Sequence, residues 1–532
     1  MRLAAIDFFI LGTYVAAVLG IGYWLKDRMN TSEDFLMAGR SLPSWITGPA
    51  FMAANLGSLE IVGMIAMSAK YGIMTCHWYW LGAIPPMVFL SLFMIRFYYS
   101  HRIRSVAEYL RLRYDSRAHV LNAGSFLVVT ILMSGINMYA LALVCEQMLG
   151  WRFHLSIVLS AGVVVGYTFL GGLRSSIYNE FLQFVLIICG FAPLAYFTLA
   201  GAGGWEGLTS RLPHVASTLW QGMGDPATNP LGVRWYTIVI ALMLVMGPSY
   251  WCTDFLLVQR ALAAKDLNAA RKTPLIAAFP KMLFPAFVVI PGMAAAAMMP
   301  GALEGNYNVA LTELMKRHFG PGLMGLGFTA LIASFMSGMA GNVTAFNTVW
   351  TFDLYQTYLV KNRPDAHYLN IGKAATIVGT ALSISAAYIV LAFDNLMDYM
   401  QLIGTLFISP FFVVFLLGMC FRRITATAAF YGVIAAILAG LTQYLLYRTG
   451  VIQYPTPMAA TLHLAVWEGG IGALVTVVLT LVTNPAPDHT LRGLVYGTHP
   501  AADEVCRHWI RTPEFLAAIV LATFIALNVI FW

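Results

Sequence analysis

The amino-acid sequence predicts an all-α polytopic membrane protein. Hydrophobic residues make up 59 % of the 532-residue chain and charged residues only 10 %, against about a quarter charged in soluble domains. Mean hydropathy is +0.73. A soluble fold of this size could neither hide that much apolar surface nor solvate itself with so little charge. Lipid offers an unpaired amide no partner, so the crossings must be helices. Disulfide-framed secreted proteins, disordered chains, fibrous repeats and nucleic-acid binders are excluded together. The whole chain, 1–532, reads as one transmembrane domain.

Windows of about 19 residues mark fourteen candidate spans, near 4–26, 44–68, 77–98, 119–147, 153–170, 177–201, 235–258, 274–299, 320–350, 371–393, 397–420, 424–447, 460–483 and 513–531. The first has no small-residue cleavage site and reads as a retained helix rather than a signal peptide. The pair 153–170 and 177–201 is separated by a tight turn. Connections after the odd-numbered spans, with Lys26 and Arg96 at the trailing ends of those spans, carry 21 of the 31 lysines and arginines, and the termini and other connections carry 8. The cationic side is the cytoplasmic one, which puts both termini outside a plasma (inner) membrane. The net charge of +7 is therefore a topological bias, and nucleic acid is not an expected partner. Six cysteines are scattered singly without metal-ligand spacing and read as small buried hydrophobes.

Two spans are interrupted. The second contains Ala53-Ala54-Asn55-Leu56-Gly57-Ser58, and the seventh contains Gly247-Pro248-Ser249. Five spans separate them, an odd number, so an inverted five-helix repeat would set the two breaks opposite each other near the midplane. There, freed carbonyls and helix ends coordinate ions and polar solutes; a kink without function is the competing reading. A hard cation such as Na⁺ needs several oxygens. The carbonyls of Ala53 and Leu56 are available at the first break, and Ser334 and Ser337 share one face of the ninth span. Ionisable residues inside spans are costly and mark candidate sites: Glu60, Glu180, Asp254 and Lys281. Glu60 and Lys281 are placed to pair with each other or to bind a solute hydroxyl. Glu180 and Asp254 either serve the site or pair with loop arginines. His77, Trp78, Tyr79 and Trp80 open the third span as an interfacial belt or a ligand box. Tyr250 and Trp251, beside the second break, are candidates for stacking on a solute. No catalytic or nucleotide-binding constellation occurs in a context that would give it meaning, so an enzyme or ATP-driven pump is not expected.

At these residues the sequence resembles the sodium:solute symporter family, in particular its sodium/glucose branch, over roughly residues 30–425. The likeness is carried by Asp34-Phe35-Leu36-Met37-Ala38-Gly39-Arg40-Ser41-Leu42-Pro43, by the break at 53–58, and by Tyr167-Thr168-Phe169-Leu170-Gly171-Gly172-Leu173 with Glu180 and Gln183. It continues in Tyr250-Trp251-Cys252-Thr253-Asp254 and in Ser337 through Thr351-Phe352-Asp353-Leu354-Tyr355. The resemblance implies a LeuT-type core of two inverted five-helix repeats, about 44–201 and 235–420. Peripheral helices would lie near 4–26, 424–447, 460–483 and 513–531. It implies a sodium site from the carbonyls of Ala53, Leu56 and Ser334 and the Ser337 hydroxyl, with Glu180 where the family has an aspartate. Gly338 stands where the family carries a second serine. For the solute it implies Tyr250 as a stacking residue on the inner side and Lys281 as a hydroxyl ligand. Glu60 replaces an amide, Tyr79 an acid and Gly247 an asparagine, while Gln401 lies within one position of a substrate glutamine.

The expected activity is secondary active symport of a small polar organic solute, a sugar or sugar-like compound, driven by Na⁺. Two alternatives remain: H⁺ as the coupling ion on the same fold, through Glu60 or Glu180, and a transporter-like solute sensor. Solute identity and oligomeric state are not legible.

Overall fold

The computed structural model describes residues 3–25, 31–303, 306–390, 396–498 and 509–532. Cys506, the ends of two expected spans (residue 26 and residues 391–393) and the side chains of Tyr167, Leu170 and Gly171 lie outside the described residues. Everything regular among them is helical, save one isolated parallel bridge between Leu42 and Ala264. The helices that build and flank the site are α1 (Ala5–Leu25), α2 (Ser44–Asn55), α3 (Ser58–Tyr71), α4 (Ser116–Leu149), α5 (Phe153–Gly201), α6 (Gly247–Thr253), α7 (Phe255–Leu262) and α8 (Leu267–Leu283). They continue as α9 (Leu323–Thr348), α10 (Asp365–Ile389), α11 (Leu396–Cys420), α12 (Ala426–Arg448), α13 (Pro457–Val482) and α14 (Pro513–Ile530).

Eleven helical stretches among the described residues are long and apolar enough to cross a membrane, where the sequence suggested fourteen. The difference has three sources. Ser58–Ser100 forms one apolar stretch although its helix breaks at Gly72 (φ 66°, ψ −150°), and α2, with 12 residues, is short on its own. The arm Phe153–Gly166 is also short. The helix α10 is long but begins among Asp365, His367 and Lys373, and it is not one of the eleven.

The centre of the bundle is α9, which touches α1, α2, α3, α4 and α5. In its stretch, Leu323–Leu359, 83 % of the most apolar window is buried, against 17 % for α14. One sequence is thus a core helix and the other a lipid-facing one at similar hydropathy, a distinction that period alone cannot make. Two hydrogen bonds from main-chain amides of α9's first turn fix its start. Asp7 of α1 is buried and its Oδ1 accepts the amides of Gly322 at 2.7 Å and Gly325 at 2.8 Å, a carboxylate at the positive end of a helix.

The break in the second span lies where the sequence placed it. Helix α2 stops at Asn55; Leu56 (φ −85°, ψ 56°) and Gly57 (φ −66°, ψ 164°) leave the helical region before α3 begins. Glycine is required at 57 because the carboxamide oxygen of Asn137 on α4 occupies the space a Cβ would take. The break in the seventh span is displaced from the expected one. Gly247-Pro248-Ser249 begin the regular helix α6, and the backbone opens at Asp254 (φ −72°, ψ 114°), whose carboxylate caps α7 through the Leu256 amide at 2.9 Å. The missing amide of Pro248 is absorbed upstream, where Val239–Met246 is wound as a π-helix. The expected turn between the fifth and sixth spans is a break at one residue, Gly172 (φ 53°, ψ −150°), which divides α5 into two helical arms.

Asp7→Ala is expected to lower the thermal stability of the detergent-solubilised protein by about 1–3 kcal/mol, the cost of leaving two buried amides without an acceptor. A melting curve unchanged from the wild type would refute this role.

Candidate functional site

On one side the α2–α3 break faces α9. The Leu56 carbonyl accepts Ser334 Oγ at 2.5 Å, while the Ala53 carbonyl accepts the Leu56 amide at 2.8 Å. Ser337 Oγ, one turn further, is buried without a hydrogen-bond partner among the described residues. Gly338 packs against the break itself, since a Cβ there would come within 3.0 Å of Gly57 Cα. A buried hydroxyl lacking a partner costs about 1–3 kcal/mol. With the Leu56 carbonyl, which Ser334 of the same helix reaches, such a hydroxyl is the kind of oxygen donor a hard cation takes.

Glu180 is buried and engaged. Arg260 Nε donates to its Oε2 at 3.1 Å, Arg260 Nη2 donates to its Oε1, and Ser176 Oγ donates to Oε1 at 2.8 Å. The guanidinium reaches α9 at Gly341, where a Cβ would lie 3.4 Å from Nη2. This bidentate pair therefore sits one helical turn along α9 from Ser337.

On its other side the break borders a cavity that is partly open to solvent. Lys281 Nζ donates to Asn55 Oδ1 at 2.6 Å and to Glu60 Oε1 at 3.0 Å, and Asn55 Nδ2 donates to Tyr250 Oη at 3.0 Å. Of the expected solute residues, Glu60, Tyr250, Trp251, Lys281 and Gln401 line this cavity. Tyr79 does not. It is fully buried with its ring centre 4.3 Å from Lys281 Nζ, and its hydroxyl lies toward Glu60 short of hydrogen-bond geometry. Trp78 lines the cavity instead, because neighbours in a helical turn point about 100° apart. Asn55, Thr405 and Ser409 also border it; of these only Asn55 carried a sequence signal, as the polar residue at the break.

A second cavity is lined by Gly57, Asn137, Asp254, Gly338 and Asn342. Asn55, Glu60 and Tyr250 border both cavities, so the Asn55–Tyr250 hydrogen bond is part of the partition between them.

The model of the sodium:solute symporter family matches residues 35–436. The chain belongs to this family. As a member it is a Na⁺-coupled solute symporter of the membrane and not an enzyme. It is similar to sodium/glucose cotransporter 2 of Rattus norvegicus, 25 % identical over 550 residues covering 94 % of this chain and 81 % of that protein. The sodium/glucose cotransporter of Vibrio parahaemolyticus is 26 % identical over 459 residues, 82 % and 84 % of the two chains. Sodium/myo-inositol cotransporter 2 of Homo sapiens is 28 % identical over 477 residues, 83 % and 70 %. Among solved structures, a substrate-bound, outward-open Na⁺-coupled sialic acid symporter superposes with a TM-score of 0.73 at 19 % identity, covering 91 % of this chain and 99 % of that one. Mhp1, a nucleobase-cation-symport-1 family transporter, gives 0.51 at 15 %, covering 86 % and 97 %. At these identities the structural likeness shows the fold alone.

For this symporter, Glu60→Gln leaves the buried Lys281 ammonium without its counter-charge, and the expected destabilisation is about 3–5 kcal/mol. The Glu60→Gln/Lys281→Met double variant, with neither charge, is expected to recover most of that loss in a thermal melt. Equal melting of the single and double variants would show that the pair is not coupled.

Proposed function

We propose that this protein couples inward movement of Na⁺ to uptake of a small neutral polyhydroxylated solute, a sugar or cyclic polyol, by alternating access. One observation carries the reading. Consecutive residues of a single break serve both sides: the Asn55 side chain borders the solute cavity, and the Leu56 carbonyl lies against the Ser334 side of α9. An ion that orders the main chain at 56 also orders the side chain at 55, and linkage makes the effect reciprocal.

The ion is assigned to the carbonyls of Ala53, Leu56 and Ser334 and to Ser337 Oγ. Glu180 lies one turn away along α9, paired with Arg260, and holds that guanidinium in place beside the ion site. The solute is assigned hydrogen bonds from Lys281, Glu60 and Gln401 and apolar contact with Tyr250, Trp251 and Trp78, with Tyr79 steadying the Lys281 ammonium by cation–π attraction. Lys281 is matched by Glu60 at 3.0 Å, so a carboxylate-bearing solute would meet a cation already neutralised and an anion beside it. Glucose and myo-inositol, in the names of the relatives, are neutral polyols. The proposed architecture has fourteen crossings, two inverted repeats over about 44–201 and 235–420, and both termini outside a plasma (inner) membrane. One inward charge contributes about 2.3 kcal/mol per 100 mV, and each tenfold gradient about 1.4 kcal/mol. A proton-driven cycle through Glu60 or Glu180 would have to part a buried ion pair with Lys281 or Arg260 at each turn.

Proteoliposomes loaded with candidate solutes test this. Counterflow is expected with neutral hexoses or inositols under a Na⁺ gradient, with choline unable to replace Na⁺ and sugar acids excluded. Ser337→Ala is expected to weaken the Na⁺ requirement's half-saturation about tenfold, about 1.4 kcal/mol, while uptake at saturating Na⁺ persists. Uptake that is equal in Na⁺ and choline would sink the sodium assignment.

A further inference from the structure

Glu468 lies near the middle of α13, fully buried, and neither carboxylate oxygen has a hydrogen-bond partner among the described residues. It belongs to neither cavity. Space for it is made by Gly440 of α12, where a Cβ would come within 2.9 Å of the Glu468 Cδ. Next to it Gly469 admits Val245 of the π-helix 239–246, at 2.7 Å from where a Cβ would stand. Helix α12 thus closes directly on this carboxyl through a missing side chain, and the 239–246 stretch packs against α13 one residue away.

The groups around it offer no counter-charge. The stretch Val239–Met246 is wholly apolar. On α12 the nearest titratable residue along the facing stripe is Tyr444, one turn from Gly440. On α13 itself His463 is stacked on Tyr454 at 4.9 Å. On α11, Tyr399 packs in the separate apolar cluster of Leu59 and Ile136, and Cys420 is exposed at the helix end; the side chain of Asp398 lies outside the described residues. A metal ion would need several oxygens, and no group of three or more acidic, histidine or cysteine residues able to hold one occurs among the described residues. A proton needs only the carboxyl, and an ionised carboxylate without a partner is strongly disfavoured in such surroundings.

We propose that Glu468 is a proton-binding site in the seam between α13, α12 and the 239–246 stretch. It holds a proton while the seam is closed. The π-helix in the seam runs directly into α6, which carries Tyr250 at the partition between the cavities. Seam opening and movement of the partition therefore share one segment of chain. The site stands whichever ion drives uptake.

The test uses the full-length protein in nanodiscs. Infrared difference spectra of wild type against Glu468→Gln at neutral pH are expected to show a neutral-carboxyl C=O stretch that the variant lacks. A folded state that binds this proton more tightly than the unfolded chain loses stability as pH rises above the ordinary glutamate range. Glu468→Gln is therefore expected to melt above the wild type, by a gap that widens toward alkaline pH, and Glu468→Leu removes the same titration should the amide misfold. A carboxylate stretch at neutral pH, a variant that melts below the wild type, or a gap independent of pH would each overturn the proposal. Neither readout uses transport, so a failed uptake assay and a failed proton site are distinguishable.

Discussion

Main chain that leaves the helical path inside a bilayer must find partners from the protein, because hydrocarbon supplies none. That constraint at Leu56 and Gly57 organises everything around it. The Asn137 carboxamide fills the place of a side chain at 57, Ser334 reaches the Leu56 carbonyl, and Gly338 lets α9 approach the break closely. Ser337 Oγ on this face is left without a protein partner among the described residues. A segment so nearly satisfied, with one polar atom over, is built to be completed by something small. Position 338 explains why it stays small: a serine there would press on Gly57, so this chain has close backbone packing where its family has another hydroxyl.

The buried charges obey a common rule. Glu60 on α3 pairs with Lys281 on α8, and Glu180 on α5 pairs with Arg260 on α7. Each joins the stretch 44–201 to the stretch 235–420, and so do the bonds Asn55–Tyr250 and Ser334–Leu56. Buried ion pairs contribute little net stability against an apolar replacement, but separating them is costly. Their value here is geometric. They pin one half of the bundle to the other at the level of the breaks, so relative motion of the halves must pivot about these contacts or exchange them for a ligand.

Much of this was legible in the sequence, and the failures have physical causes. A polar, small run within an apolar span locates the first break because few other reasons exist for Asn there. The second break was misplaced because Gly247-Pro248 reads as a helix breaker, whereas a π-helical turn upstream accommodates the proline and the chain opens at Asp254 (ψ 114°). Glu60, Lys281, Tyr250, Trp251 and Gln401 were recognisable as residues of one cavity; Tyr79 was not separable from Trp78, since a single helical turn decides which ring faces inward. The pairing of Glu180 with Arg260 was an open alternative that distance along the chain could not settle. Glu468 carried the same signal as Glu60, a charge inside an expected span, but not the reason for its isolation, which is the missing side chain at Gly440 on the facing helix.

The partition between the cavities is thin where Asn55 meets Tyr250, and Asn55 spends its two hydrogen-bonding functions unequally. Its oxygen accepts from Lys281 at 2.6 Å and its amide donates to Tyr250 at 3.0 Å. A solute hydroxyl that accepts from Lys281 would compete with the first of these bonds and free the carboxamide to turn. Once it turns, the part-buried Tyr250 hydroxyl loses its donor. Binding and opening are then a single exchange of hydrogen bonds at one side chain. The neighbouring carbonyl at 56 makes that exchange sensitive to the ion, since residue 55 cannot rotate freely while the peptide that follows it is held.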